Sequence, residues 1–359
     1  MKRLEYLDKL KGISIILVVF CHYTLLSDKT ILGNIIMLIA WGAVPCFFIS
    51  SGVVMHSATE IKWNKYFVRL LRTYIVLCVW KIIYLLVAMK YMQISFSKMQ
   101  LVNYTFFFGN IENVKTDVLW FMNAYILVIL FYPISFSLFQ QYEKDKKIIL
   151  FVLFTLFISG ILVNTGNLCS DILSGFLGIS KVNLVFLEQL SPFGNYKNML
   201  FYFILGGILG KESIRIQNVI NKNRKTRFIP YIVFVAGIIS LLLLKYYQTK
   251  SFCWKRIYLD NGYAWCSTVI LSIGLFLVIF CYTNEKKTSI WAFVGKNTMG
   301  IYYLHYPLLG YLSSCYIWKN LIKYNSCILN IIKTIIIVGI CLIVTLLVKR
   351  NRVLKYLVG

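Results

Sequence analysis

Apolar positions along this chain gather into runs of about twenty residues, separated by short blocks in which lysine and arginine concentrate. A helix needs about that length to cross roughly 30 Å of hydrocarbon. The pattern predicts ten membrane-spanning helices, over 10–26, 32–56, 68–90, 118–139, 147–164, 198–210, 229–247, 263–282, 292–314 and 327–348. The sixth is short, and Gly206, Gly207 and Gly210 within it predict close helix packing. Segments 91–117 and 165–197 have room for re-entrant or interfacial helices, which would bring the count to eleven. No internal repeat and no long hydrophilic run interrupts the pattern. The expected architecture is one all-α, polytopic integral-membrane bundle over 1–359, with its core at about 5–348 and no separate soluble domain.

Composition agrees. The 359 residues are 59% hydrophobic and 16% aromatic, with 14% charged, where a soluble protein carries about a quarter charged. A formal charge of +25 raises the question of nucleic acid. The cations, however, sit in blocks between apolar runs, and no groove-reading motif accompanies them, so membrane topology accounts for them and no nucleic-acid partner is expected. With the N-terminus inside, inner segments carry about twice as many Lys and Arg as outer ones, which predicts both termini in the cytoplasm. Lys245, Lys250, Lys255 and Arg256 run against that bias. The ten cysteines are scattered through apolar runs without CxxC or Cys/His spacing, so they read as small buried hydrophobes and no metal site is expected. Lys2, Arg3, Lys9 and Lys11 before an apolar stretch look like a signal peptide. No small-x-small cleavage site follows, which predicts a retained first helix.

Ionisable side chains inside a bilayer cost several kcal/mol unless paired or hydrated, so each needs a reason. "LDKLKGISIILVVFCHYTLL" places Lys11 at the foot of the first span and His22 eleven residues on. Eleven residues are three helical turns at about 3.67 per turn, so the two project from nearly the same face, about 16 Å apart along the axis. That geometry suits a long substrate with an anionic head and a reactive tail, and coenzyme A thioesters have this form. "KYFVRLLRTY" adds Arg69 and Arg72 on one face at the start of the third span, where they act either as a positive-inside anchor or as a phosphate clamp. His56 ends the second span and reads as interfacial. His305, in "MGIYYLHYPLL", either lines an acceptor site or bonds between helices. "AWGAVPCFFISSGVVMH" combines Pro45 with Ser50, Ser51 and Gly52, which suits a kinked cavity wall. In "DVLWFMNAYILVILFYP", Trp120 is either an interface anchor or, with Asp117 and Asn123, a contact for a sugar-like acceptor.

The stretches "YLDKLKGISIILVVFCH", "VPCFFISSGVVM", "RLLRTY", "LWFMNAY" and "NTMGIYYLHYPLL" resemble, in that order and over nearly the whole chain, acyltransferase family 3. These are polytopic enzymes, chiefly bacterial, that O-acylate surface polysaccharides, lipid-linked sugars and related acceptors. The family's basic-x10-His motif falls on Lys11 and His22, with Lys where many members have Arg, and its RxxR motif on Arg69 and Arg72. The resemblance implies a catalytic His22, with the cations binding or supporting the donor. Many members carry a Trp-Ser-x-x-x-Glu-Glu-type sequence before the fourth span; here "LWFMNAY" stands instead, as in the stand-alone "LWFL"-type subgroup. The acceptor must then be handled by the membrane domain itself.

The expected function is a multi-pass enzyme of the bacterial cytoplasmic membrane. It moves an acetyl group from cytoplasmic acetyl-CoA, a co-substrate rather than a bound cofactor, to a hydroxyl of a cell-surface or lipid-linked polysaccharide. His22 serves either as general base or as nucleophile through an acyl-imidazole. Any carboxylate orienting it would come from Asp117, Glu188 or Asp260. The partners are membrane lipid, acyl-CoA and the glycan. The competing readings are a transporter or flippase for a glycan intermediate, against which stands the missing inverted repeat, and a scaffold without chemistry, which leaves the Lys11–His22 alignment unexplained.

Overall fold

The computed structural model describes residues 4–24, 31–92, 96–107, 117–142, 144–178, 180–190, 194–249, 262–283, 289–315 and 326–359, and among them the regular structure is entirely helical. The α-helices are α1 (Glu5–Thr24), α2 (Ile31–Ala40), α3 (Ala43–His56), α4 (Trp63–Met92), α5 (Lys98–Phe106), α6 (Trp120–Gln140), α7 (Lys147–Phe157) and α8 (Val163–Leu177). They continue with α9 (Lys197–Lys211), α10 (Ser213–Asn221), α11 (Ile229–Thr249), α12 (Cys266–Tyr282), α13 (Ile290–Gly295), α14 (Thr298–Ser314) and α15 (Cys327–Arg350). Among the described residues six helical stretches are long and apolar enough to cross a membrane: Ile31–His56, Trp63–Lys90, Trp120–Gln140, Lys147–Leu177, Thr226–Tyr247 and Cys327–Arg350. α12 is a shorter apolar helix. The chain is an all-α, multi-pass membrane protein.

Several expected spans take a different form, for identifiable reasons. The second divides into α2 and α3 at a turn through Trp41 and Gly42. Pro45 has no N–H for the Trp41 carbonyl four residues back, so the ladder opens there. The fifth extends well past 164, to Leu177, through a π-helical turn at Ile158–Leu162, where Gly160 lies against Lys197 and Asn198 of α9. The sixth, α9, has 15 residues, and Asn198 to Gly207 are all buried. It is a core helix. The ninth divides into α13 and α14 at Lys296 and Asn297. Part of segment 91–117 forms α5, whose Ser97 and Gln100 make a reciprocal capping box.

The helices cluster into two compact units: Met1–Ala58, Ile134–Lys296 and Asn325–Thr334 form the first, and Thr59–Pro133, Asn297–Tyr324 and Ile335–Gly359 the second. In the first, α1 packs against α13, α3, α2 and α12, while α3 packs on α9 and α11 on α12. Two glycine pairs allow the closest approaches. A Cβ on Gly12 would lie 2.8 Å from the Trp291 carbonyl carbon and nearer still to its oxygen, and one on Gly295 would lie 2.6 Å from the Asp8 carbonyl carbon. Gly52 and Gly206 make the same kind of contact between α3 and α9.

In the second unit, prolines and tyrosines are matched. Pro133 leaves the Ile129 carbonyl of α6 without its helical donor, and the Tyr66 hydroxyl of α4 donates to it at 3.2 Å. Pro307 does the same to the Tyr303 carbonyl of α14, and the buried Tyr84 hydroxyl of α4 donates there at 3.1 Å. α5 is held in a related way. Its last carbonyls, on Tyr104, Thr105 and Phe106, accept from Lys81 Nζ (2.9 Å), Cys78 Sγ (3.3 Å) and the Tyr74 hydroxyl (2.9 Å), all on α4. A cation suits the negative end of a helix, which explains Lys81 within an apolar span.

Candidate functional site

α1 holds both members of the basic–histidine pair, and its setting decides what they can reach. Glu5 and Asp8 stand in its first turn, where carboxylates favour the helix N-terminus. Glu5 Oε1 also accepts from the Ser289 backbone N–H at 3.0 Å, tying this end to the start of α13. Gly12 then seats the helix on α13. Ser14 is buried on this helix, and Cys46 Sγ of α3 donates to the Ser272 carbonyl of α12 at 3.8 Å. Packing on α13, α3, α2 and α12 holds the helix in place.

At about 100° per residue, Lys11 and His22 lie about 20° apart around α1. Ile15 and Val18, between them on the same side, are buried. Lys11 and His22 themselves are partly accessible. Of the other half-exposed positions, Lys9, Ile13, Ile16 and Leu17 fall on the opposite side and Cys21 about a quarter turn from the pair. The stripe carrying the pair therefore belongs to the packed side of α1 and is not its most exposed apolar face.

Beyond His22 the surroundings become aromatic. Cys21 lies within electrostatic reach of the Tyr263 hydroxyl, and the Tyr263 carbonyl accepts from the Tyr202 hydroxyl of α9 at 2.8 Å. Ser51 shares the half-exposed side of α3 with Phe47 and Val54, while neighbouring Ser50 turns its hydroxyl back to the Cys46 carbonyl at 2.7 Å. His56 is buried, not interfacial. Its Nδ1 lies 2.9 Å from the Gly52 carbonyl, its Nε2 lies 3.0 Å from Ser135 Oγ, and its ring packs on Phe139 and Phe203.

In the second unit, Arg69 Nη2 donates to the Tyr125 hydroxyl at 2.6 Å, so α6 orients this guanidinium. Arg69 and Arg72 are exposed, but the same side of α4 is buried one and two turns later by Val76 and Trp80. The exposed apolar stripe through Leu71, Ile75, Ile82 and Met89 lies about a third of a turn away. An apolar groove of about 600 Å³ between α4 and α6 is lined by Phe67, Val68, Leu70, Leu71, Tyr74, Ile126 and Leu130. Tyr125 stacks on Phe121, Phe121 meets Tyr302, and Tyr302 meets His305. His305 is fully buried, with Nδ1 2.6 Å from the Tyr302 carbonyl.

Trp120 and Asn123 are half-buried on α6, on a different side from Phe121 and Tyr125, and Asn123 Oδ1 has no hydrogen-bond partner among the described residues. Asp117 begins a short 3-10 turn, and its side chain lies outside the described structure, as does Asp260. Glu188 is paired with Lys197 at 3.2 Å. Among the described residues no three His, Cys, Asp or Glu side chains converge as metal ligands.

Sequence reasoning singled out Arg69 but missed Tyr125, whose only sequence signal is its place one turn beyond Phe121 in an aromatic-rich helix. It also missed segment 262–266, which carries no motif.

No curated protein and no solved structure is significantly similar to this chain. The family profile described as the acyltransferase domain of acyltransferase family 3 matches residues 4–350, which take in the whole of α1, the RxxR segment and α14. The chain is therefore a member of acyltransferase family 3, a membrane acyltransferase.

Proposed function

We propose that the protein is an O-acetyltransferase that takes acetyl from acetyl-CoA and delivers it to a hydroxyl of a cell-surface or lipid-linked polysaccharide. The observation that carries this reading is the stripe of α1 on which Lys11 and His22 stand, set into the packed side of a helix anchored by Gly12 and Glu5. Lys11 holds donor phosphates at one end. The extended pantetheine arm spans the three turns to His22, which meets the thioester. There the imidazole takes the proton of the attacking hydroxyl as the ester bond forms and CoA leaves as the thiolate. In the two-step route it attacks the thioester itself. Arg69, oriented by Tyr125, and Arg72 supply further cations for donor phosphates. Asp117, Trp120, Asn123, Ser51 and His305 remain candidates for contacts to the acceptor or for support. Both termini lie in the cytoplasm, where acetyl-CoA is made, and the membrane is the bacterial inner membrane.

The test is transfer of label from acetyl-labelled acetyl-CoA to alkali-deacylated surface glycan in membranes containing the protein. Transfer should be lost in His22→Ala. Undiminished transfer in that variant would remove His22 from the chemistry. Glycan export without acyl transfer by the wild type would mark a transporter instead.

A further inference from the structure

The backbone just ahead of α12 is tied at four of five consecutive residues. The Gly262 carbonyl accepts from Thr268 Oγ1 (2.7 Å), that of Tyr263 from the Tyr202 hydroxyl (2.8 Å) and that of Ala264 from Asn164 Nδ2 (3.5 Å). The Cys266 N–H donates to Thr165 Oγ1 at 3.1 Å. Gly262 lies directly on the Trp41 indole, since a Cβ there would come within 3.0 Å of it. Irregular backbone at membrane depth is tolerated only where protein satisfies it or where it lines a cavity. Here α8, α9 and α12 all contribute side chains to satisfy it.

The side chains held by this segment are not used up by that bonding. Trp265 is buried against Leu244, Trp41 and Leu168, yet its Nε1 has no hydrogen-bond partner among the described residues. A buried indole N–H ordinarily finds a partner, so an unused one is an open donor. Tyr263 is partly accessible and lies within electrostatic range of Cys21, the residue before His22. α1 packs along both α2 and α12, the helices that flank the segment. Aromatic faces with a fixed polar tip suit a sugar ring, whose C–H faces stack while its hydroxyls take hydrogen bonds. Rigid backbone beneath them supplies the preorganisation that orientation of a reacting hydroxyl requires.

We propose that the Gly262–Cys266 segment is the acceptor subsite beside His22, with the Tyr263 ring stacking on a pyranose and the Trp265 indole N–H donating to one of its hydroxyls. This rests on the acetyl-transfer reading and adds the residues that choose the acceptor.

The experiment is steady-state transfer by the full-length protein in membranes, varying alkali-deacylated surface glycan and acetyl-CoA independently. Tyr263→Ala should raise KM for the glycan about tenfold, and Trp265→Phe, which keeps the packing but deletes the N–H, about threefold to tenfold. KM for acetyl-CoA should stay unchanged in both. Wild-type glycan KM in both variants, or a parallel rise in acetyl-CoA KM, overturns the proposal and marks the segment as structural. If Tyr263→Ala fails to accumulate, Trp265→Phe decides alone. His22→Ala run in the same membranes separates the two levels: full transfer there overturns the underlying reading, whatever the segment variants do.

Discussion

Gly12→Ala places one methyl group between the helix that carries Lys11 and His22 and the helix that seats it. The new carbon would lie 2.8 Å from the Trp291 carbonyl carbon and 3.0 Å from the Gly295 nitrogen. Comfortable carbon–carbon contact needs about 3.5–4.0 Å, so the helices must part by roughly 1 Å. Both faces of the contact are backbone and cannot rotate away. Overpacking of this kind costs about 1–3 kcal/mol. A shift of about 1 Å in reacting groups lowers a rate by up to about 10²-fold. The expected result is a lower thermal midpoint in detergent together with a loss of transfer from about tenfold to 10²-fold. Gly339→Ala is the control, because a Cβ there meets nothing within 4 Å; it should leave both readings unchanged. Wild-type stability and rate in Gly12→Ala would show that α1 is not held as described.

The remaining predictions concern other fastenings. Tyr84→Phe should cost about 1–3 kcal/mol, because the Tyr303 carbonyl has lost its helical donor to Pro307 and is left unsatisfied. In the Pro307→Ala background a backbone N–H returns, so the Tyr84→Phe penalty should shrink, which a double-mutant cycle of thermal stability measures; full additivity would contradict the pairing. Tyr125→Phe releases the Arg69 guanidinium and should raise KM for acetyl-CoA about threefold to tenfold with kcat unchanged, whereas a fall in kcat alone would assign Tyr125 another role. Between α9 and α10, Glu212 accepts from Lys146 and from the Tyr142 hydroxyl, and these bonds hold its carboxyl below the usual carboxylate range. A lowered carboxyl favours the folded state above its unfolded value and loses that contribution as pH falls through the lowered one. Glu212→Gln should therefore lower stability by up to about 1 kcal/mol at pH 7, since the pair is partly exposed, and the gap to wild type should narrow as pH falls below the ordinary carboxylate range of about 4. A gap that does not narrow as the solution is acidified would contradict the ion-pair account.

The chain's apolar runs were sufficient to locate most helices, because a bilayer admits few alternatives to helix. Hydropathy could not show how the runs divide. The turn at Trp41–Gly42 has a local cause in Pro45, but Pro133 and Pro307 sit inside unbroken helices. The difference is tertiary: Tyr66 and Tyr84, far off in sequence, supply the missing donors to Ile129 and Tyr303. Lys81 stands within an apolar span, and its reason, the C-terminal end of α5, appears only once that helix folds back on α4. The spacing of Lys11 and His22 put them on one side of a helix, and burial of Ile15 and Val18 adds which side that is. Segment 262–266 was illegible in advance. Its bonds come from Asn164, Thr165 and Tyr202, and no local pattern encodes a partner 61 to 101 residues away.

The central claim is that one side of α1 measures out the donor, and a cryo-EM map of the protein with a thioether analogue of acetyl-CoA tests it most directly. The account predicts nucleotide phosphates beside Lys11 and the acetyl end beside the His22 imidazole, about 16 Å away along the helix. Density for the analogue that leaves either residue untouched, or a map in which the Lys11–His22 side of α1 faces lipid, would contradict it.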